Sequence, residues 1–154
     1  SKKSTAFETS ASVIFLDTVV LVYAVGEPHP YRESCRDLLT RVSTGQVAAT
    51  TTPEVIQEFA HVRGRRRPRA DASSLSLRFA ELLAPLRLTE QEHLRDGLEL
   101  WASSEHLGAF DAVLAAVALD SKYKTLVSAD RGFAGVPGLD HVFPDAEGVA
   151  SLVR

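Results

Sequence analysis

Short apolar runs alternate along this chain with longer segments whose apolar residues recur at helical spacing. The clearest run, residues 13–16, has the length and character of a strand buried on both faces of a sheet. The same pattern predicts strands at 46–51, 86–88 and 125–128 and an edge strand at 141–143. Strands that alternate with helices form βαβ units with right-handed crossovers. We therefore expect an α/β fold in which helices flank both faces of a mainly parallel sheet.

The helical segments between these strands carry start signals. Thr52 and Pro53 provide a hydroxyl cap followed by a proline at the first helical position. Thr89 as cap, with Glu92 three residues later, has the spacing of a capping box. The helix that Thr89 opens carries an apolar stripe, and residues 110–119 are apolar on all sides, as in a central helix. The stripe consists of Leu94, Leu98 and Trp101.

Length and composition limit the class of protein. A chain of 154 residues with 45% hydrophobic and 24% charged residues is long enough for one globular domain, which we place at 13–154. Residues 1–12 are small and polar and are expected to form a flexible segment. No apolar run approaches the roughly 18 residues of a membrane span. The single cysteine, Cys35, cannot form an internal disulfide, so a cytoplasmic location is expected.

Four acidic residues have apolar neighbours, unlike most of the twenty acids in the chain. Asp17 and Asp130 follow directly on predicted strands, Glu58 lies within a helix, and Asp111 opens the most apolar helix. Any one of them alone is better explained as a helix cap or a hydrogen-bonded polar group near the core. Together they matter more, because the carboxyl ends of parallel strands share one edge of the sheet, where ligands bind.

Convergence of these acids would require a counter-charge. Two carboxylates about 4 Å apart repel by about 4 kcal/mol at an effective dielectric near 20. That is comparable with the whole stability of a domain, about 5–15 kcal/mol. Such a cluster takes up protons or binds a cation, and oxygen ligands without histidine or thiolate select Mg²⁺ or Mn²⁺. The chemistry that fits such an ion is phosphodiester hydrolysis.

Four segments, 15–23, 55–59, 110–116 and 126–133, resemble the motifs of PIN-domain ribonucleases, in the order and spacing of that family. The most similar subgroup is the VapC-type toxins of type II toxin–antitoxin pairs. The resemblance covers about residues 13–143. It implies a PIN-like α/β/α sandwich, Mg²⁺- or Mn²⁺-dependent hydrolysis of RNA that leaves a 5′-phosphate, a homodimer, and an inhibitory antitoxin partner. The implied catalytic and metal-binding acids are Asp17, Glu58, Asp111 and Asp130, and the implied supporting hydroxyls are Thr18 and Ser128.

One residue departs from this pattern and keeps a second hypothesis open. The family usually has asparagine two positions after the first acid, where this chain has Val19. The alternative is therefore a catalytically weak or silent PIN-like module that binds RNA or a partner. A phosphatase of the haloacid-dehalogenase or receiver type fits less well, because the former needs an aspartate where Val19 stands.

The other unusual segment, residues 63–69, contains five arginines. They could complement the C-terminal end of a helix, contact the phosphates of RNA, or contact the antitoxin. The sequence leaves these three roles open. The arginines concerned are Arg63, Arg65, Arg66, Arg67 and Arg69.

Overall fold

A parallel four-stranded sheet forms the centre of the protein, and in the computed structural model residues 13–153 are described. The predicted flexible segment, 1–12, lies outside the described residues. In chain order the elements are β1 (Ile14–Leu16), α1 (Thr18–Val25), α2 (Arg32–Ser43), β2 (Ala49–Thr50), α3 (Pro53–Gly64), α4 (Arg69–Leu82), α5 (Gln91–Ser103), α6 (Ala109–Leu119), β3 (Thr125–Val127), a 3₁₀ helix (Arg131–Gly135), β4 (Asp140–Val142) and α7 (Ala146–Ser151).

The strand order is β2-β1-β3-β4, and all three neighbouring pairs are parallel. Phe15 in β1 is aligned with Thr50 in β2 and with Leu126 in β3. The ladder continues past β1, since the backbone N–H of Asp17 donates to the carbonyl of Val127 at 3.0 Å. The exits of β1 and β3 are therefore hydrogen-bonded neighbours at one edge of the sheet.

Seven α-helices in the described part of the chain flank this sheet, which confirms the predicted α/β class. The strands β1 and β3 are wholly buried, and α6 is buried along most of its length, as predicted for the alanine-rich segment. Cys35 is also buried, and burial raises the pKa of its thiol to about 12. No helix within residues 13–153 is long and apolar enough to cross a membrane.

Some predicted local features are wrong. Residues 86–88 form no strand, although the backbone N–H of Arg87 donates to the carbonyl of Thr51 at 3.0 Å. The strand predicted at 46–51 is reduced to Ala49–Thr50. Glu90, not Thr89, caps α5, in a reciprocal pair with His93. The hydroxyl of Thr89 donates instead to the carboxylate of Glu54, so it is engaged by a different helix.

The apolar stripe of α5 faces away from the core. Leu94, Leu98 and Trp101 are 48%, 40% and 48% exposed, whereas His93 and Gly97 are buried. A Cβ atom on Gly97 would lie 2.5 Å from the Cα atom of Val113 in α6. The glycine thus lets two helix backbones approach closely, and the small side of α5 packs inward while the large apolar residues remain exposed.

Candidate active site

Asp17 is fixed where β1 meets α1. Its carboxylate is buried, with Oδ1 accepting from the backbone N–H of Thr18 and Oδ2 from the hydroxyl of Ser128, both at 2.7 Å. Burial raises the pKa of Asp17 above its ordinary value, and the negative charges of Glu58 and Asp130 raise it further. The hydrogen bonds from Ser128 and Thr18 oppose these effects by stabilising the ionised form.

Ser128 connects Asp17 with Asp130 at the exit of β3. The serine is fully buried, and its hydroxyl donates to Asp17 while accepting from the backbone N–H of Asp130 at 3.0 Å. Asp130 is exposed and accepts from the backbone N–H of Gly132 at 2.8 Å. A Cβ atom on Gly132 would be 2.9 Å from the carbonyl oxygen of His106, so this turn requires glycine. One side chain thus joins two acids that are far apart in the sequence.

Two helices bring the other acids to the same place. The hydroxyl of Thr18 donates to Oε2 of Glu58 in α3 at 3.0 Å. Asp111 lies in the first turn of α6, within electrostatic range of Asp17, Asp130 and Glu58. Burial raises the pKa of Asp111 to about 7, and the charges of Asp17, Asp130 and Glu58 contribute in that order. The structure therefore brings together all four acids and both hydroxyls that the sequence singled out.

A further polar side chain supports this cluster and was missed in the sequence. Nε2 of His141, in β4, donates to the carbonyl oxygen of Ser128 at 2.8 Å. Its ring lies 4.5 Å from that of Phe143 between centroids. The available signal was its place on a predicted edge strand beside an acid-bearing strand.

The donor atoms suit a hard cation. All four side chains are carboxylates, and such oxygen ligands favour Mg²⁺ or Mn²⁺. As they stand, no three Asp, Glu, His or Cys side chains within residues 13–153 are arranged to enclose a metal ion. The cluster thus fits a cation by its chemistry and its like charge, but its described side chains would have to close around a bound ion.

The arginines of segment 63–69 lie outside this cluster, since they line two cavities whose described linings include none of the four acids. Arg63 complements a helix end, one of the three roles considered, because its Nη1 donates to the carbonyl of Val25 at 3.1 Å. Nη2 of Arg63 is also 3.7 Å from the carboxylate of Asp71.

The model of the PIN domain matches residues 14–139, a span that contains all four acids. The chain belongs to the PIN-domain family. Ribonuclease VapC7 of Mycobacterium tuberculosis is 46% identical over 142 residues, which are 92% of this chain and 98% of the relative. Ribonuclease VapC13 of the same organism is 31% identical over 130 residues, 82% of this chain and 97% of the relative. VapC ribonuclease Mb1869c of Mycobacterium bovis matches equally well.

These matches confirm the resemblance to VapC-type PIN ribonucleases. They cover nearly the full length of each of these three relatives. PIN membership also fits the observed sheet and the position of the acids at the exits of its two central strands. The phosphatase alternative is therefore wrong.

Proposed function

We propose that this PIN-domain protein is a divalent-cation-dependent endoribonuclease and the toxin of a type II toxin–antitoxin pair. Asp17, Glu58, Asp111 and Asp130 would hold Mg²⁺ or Mn²⁺ beside the RNA phosphodiester bond that is hydrolysed. The observation that carries this proposal is the convergence of the acids: Ser128 bonds both Asp17 and the backbone of Asp130, and Thr18 bonds Glu58. The charges of these three acids also act on Asp111 and contribute to its raised pKa. The named ribonuclease relatives support the RNA substrate and the antitoxin partner.

The chain's own residues supply orientation. Asp17 is held in one position by Thr18 and Ser128, so its carboxylate is oriented before any ligand arrives. Glu58 is oriented through the hydroxyl of Thr18. A divalent cation held by these carboxylates would lower the pKa of a bound water and neutralise charge at the phosphate. Thr18 and Ser128 thus act as positioning residues for the acids.

Cleavage of RNA in the presence of Mn²⁺ tests the assignment. The wild-type protein should produce fragments with 5′-phosphates, and a chelator or Asp17→Asn should abolish them. Glu54→Gln is a matched control, because Glu54 lies on the same helix as Glu58 but is bonded to Thr89, away from the cluster. Equal cleavage by the wild type and Asp17→Asn would refute the proposal.

A silent binding module is the second candidate, and Val19 is the residue that favours it. Val19 is partly exposed in the first turn of α1 and supplies no polar group beside the acids. The two candidates differ in metal binding, since ligands that bind only the folded state raise its stability. A rise in melting temperature on addition of Mn²⁺, absent in Asp17→Asn, would favour the enzyme. No rise with the wild type would favour the silent module.

A homodimer is the remaining part of the proposal. The exposed residues Leu94, Leu98 and Trp101 of α5, with Phe110 of α6, form an apolar surface that a second copy could cover. Trp101 is the single tryptophan of the chain, so its fluorescence reports burial there without interference. A molar mass of twice the monomer, lost in Leu98→Glu together with a red shift of Trp101 emission, would support the dimer. A monomeric wild type would exclude it.

A further inference from the structure

A basic cavity lies at the C-terminal ends of α1, which begins next to Asp17, and of α3, which carries Glu58. Its volume is about 560 Å³, and it is enclosed by the C-terminal parts of α1 and α3 and the start of α2. Its floor is apolar and includes Val22, Val25 and Phe59. Four arginines line it: Arg32, Arg63, Arg66 and Arg67. Glu27 is the one acidic residue in the lining.

The positive charge of this cavity is largely uncompensated within the described residues. The side chains of Arg32, Arg66 and Arg67 form no ion pair or hydrogen bond with any part of the chain that the structure describes. The Nε atoms of Arg32 and Arg63 are buried and also have no hydrogen-bond partner there. Buried donors without acceptors are costly, so the cavity is suited to an anion that accepts from them.

We propose that this cavity binds a nucleotide of the RNA substrate next to the hydrolysed bond, an inference that rests on the proposed function. The arginines would contact its phosphate, and the apolar floor its sugar or base. A guanidinium group matches a phosphate through two parallel hydrogen bonds, and a volume of this size is within the usual range for small-ligand sites, about 300–1,000 Å³.

The position of the cavity favours RNA over a protein partner. Helix α1 begins directly after Asp17, and α3 carries Glu58 five residues before Arg63, a rise of about 7.5 Å along the helix. A strand whose phosphodiester lies at the acids therefore reaches the cavity by following the same two helices. No comparable continuity points to an acidic protein segment.

The arginine segment is divided between two faces, which supplies a control. Arg65 and Arg69 line a separate cavity with His61, between α3 and α4. Nη2 of Arg65 is 3.0 Å from Nε2 of His61. Both pairs, Arg66 with Arg67 and Arg65 with Arg69, are exposed, so replacing either pair with glutamine removes the same charge without disturbing the core.

The test is the salt dependence of binding to a labelled single-stranded RNA, measured by fluorescence anisotropy in chelator so that no cleavage occurs. For single strands, the slope of log affinity against log salt is about −0.7 per phosphate contact. The double variant Arg66→Gln, Arg67→Gln should flatten this slope by about 1.4. The ratio of wild-type to variant RNA affinity should therefore fall about sevenfold between roughly 50 and 200 mM salt. The double variant Arg65→Gln, Arg69→Gln should retain the wild-type slope.

Each result decides the inference separately from the proposed function. Equal flattening by both double variants, or none by Arg66→Gln, Arg67→Gln, would overturn the cavity site. If Arg66→Gln, Arg67→Gln loses binding to the antitoxin but keeps the wild-type salt dependence of RNA binding, the RNA site is overturned too. That result would assign the cavity to a protein partner. If the slopes differ as expected but the wild type does not cleave RNA with Mn²⁺, the proposed enzyme fails while the RNA site stands. With cleavage present, Arg66→Gln, Arg67→Gln should raise KM more than it lowers kcat.

Discussion

The two ends of helices α1 and α3 differ in how they concentrate like charge. At one end Asp17 is buried and held by hydrogen bonds from a neighbouring strand exit and its own helix. At the other end Arg66 and Arg67 are exposed, and their side chains have no partner within the described residues. The acids are therefore positioned by the fold before a ligand binds, whereas the arginines remain free to adjust to one.

This difference implies different functions for the two ends. Fixed carboxylates in a partly buried site suit chemistry, which depends on preorganised charge. Exposed guanidinium groups around an apolar floor suit binding of a flexible polyanion. A cation at the first end and an RNA phosphate at the second would each relieve local repulsion. Changes to the acids and to the hydroxyls beside them should therefore break this contrast to different degrees.

The end of α1 at Asp17, where hydrogen bonds hold the acid in place, is the fixed end. Removing one charge there should nearly abolish RNA cleavage. We expect Asp17→Asn to lower kcat by about a thousandfold, since stabilisation of charge by a metal site contributes several kcal/mol. The same variant should be no less stable than the wild type in chelator, because it removes a raised-pKa carboxylate from a repulsive cluster. Cleavage rates and thermal denaturation of both proteins check these outcomes. A destabilised and still active variant would mean that Asp17 is only a helix cap.

Much of this fixed end could be predicted from the sequence. Asp17 and Asp130 each follow a short apolar run, and parallel topology then places such residues at one edge. Glu58 and Asp111 stand out in the sequence by their apolar neighbours, but only the family resemblance joins them to the other two acids, since helical periodicity alone does not say which residue faces a sheet edge. The role of His141 was hidden, because it depends on the pairing of β4 with β3.

The surface of α5 shows where periodicity fails. An apolar stripe indicates a face that avoids water, but it does not show what covers it. Here Gly97 allows α5 and α6 to pack through their small residues, so Leu94 and Trp101 remain exposed. Likewise, the sequence showed an arginine run but not its division between two cavities, which depends on how α3 and α4 are joined.

Stability without metal should depend on pH through Asp111. Its pKa is raised from 3.8 to about 7 in the folded state, so the folded protein keeps a proton that the unfolded chain releases. The resulting stabilisation is fully present below pH 3.8 and is lost as the pH rises through about 7. The side chain is partly exposed and solvent screens its charge. We therefore expect the free energy of unfolding to fall by about 2 kcal/mol across this pH range, less than the full pKa shift would give.

Thermal denaturation in chelator, across this pH range, measures that effect. The loss should appear as a fall of about 4–8 °C in melting temperature. Asp111→Asn should flatten the profile, because it removes the titrating group. Saturating Mn²⁺ should reverse its slope, because a bound cation favours the ionised carboxylates. A profile that is the same for Asp111→Asn and the wild type would show that another group carries the pH dependence.

Loss of the connecting hydroxyl should have a smaller effect. Ser128→Ala removes the donor to Asp17 and the acceptor for the N–H of Asp130, at a fully buried position. We expect a loss of about 1–3 kcal/mol in the free energy of unfolding and about a tenfold lower kcat. Thr18→Val should cost less, since the Glu58 carboxylate that Thr18 contacts is exposed and water can replace the bond. Equal losses would mean that burial does not distinguish the two hydroxyls.

The smallest expected effect concerns Val19, the departure from the family pattern. Val19 is partly exposed in the first turn of α1, beside Thr18, and no acid depends on it for a hydrogen bond. We expect Val19→Asn to change kcat/KM by less than about tenfold, or about 1.4 kcal/mol, because one added amide makes a modest net hydrogen bond. Parallel measurement of Mn²⁺ affinity would show whether any gain acts through the cation. A hundredfold gain would mean that Thr18 and Ser128 do not orient the acids sufficiently, and that the fixed end of α1 is as adjustable as the arginine end.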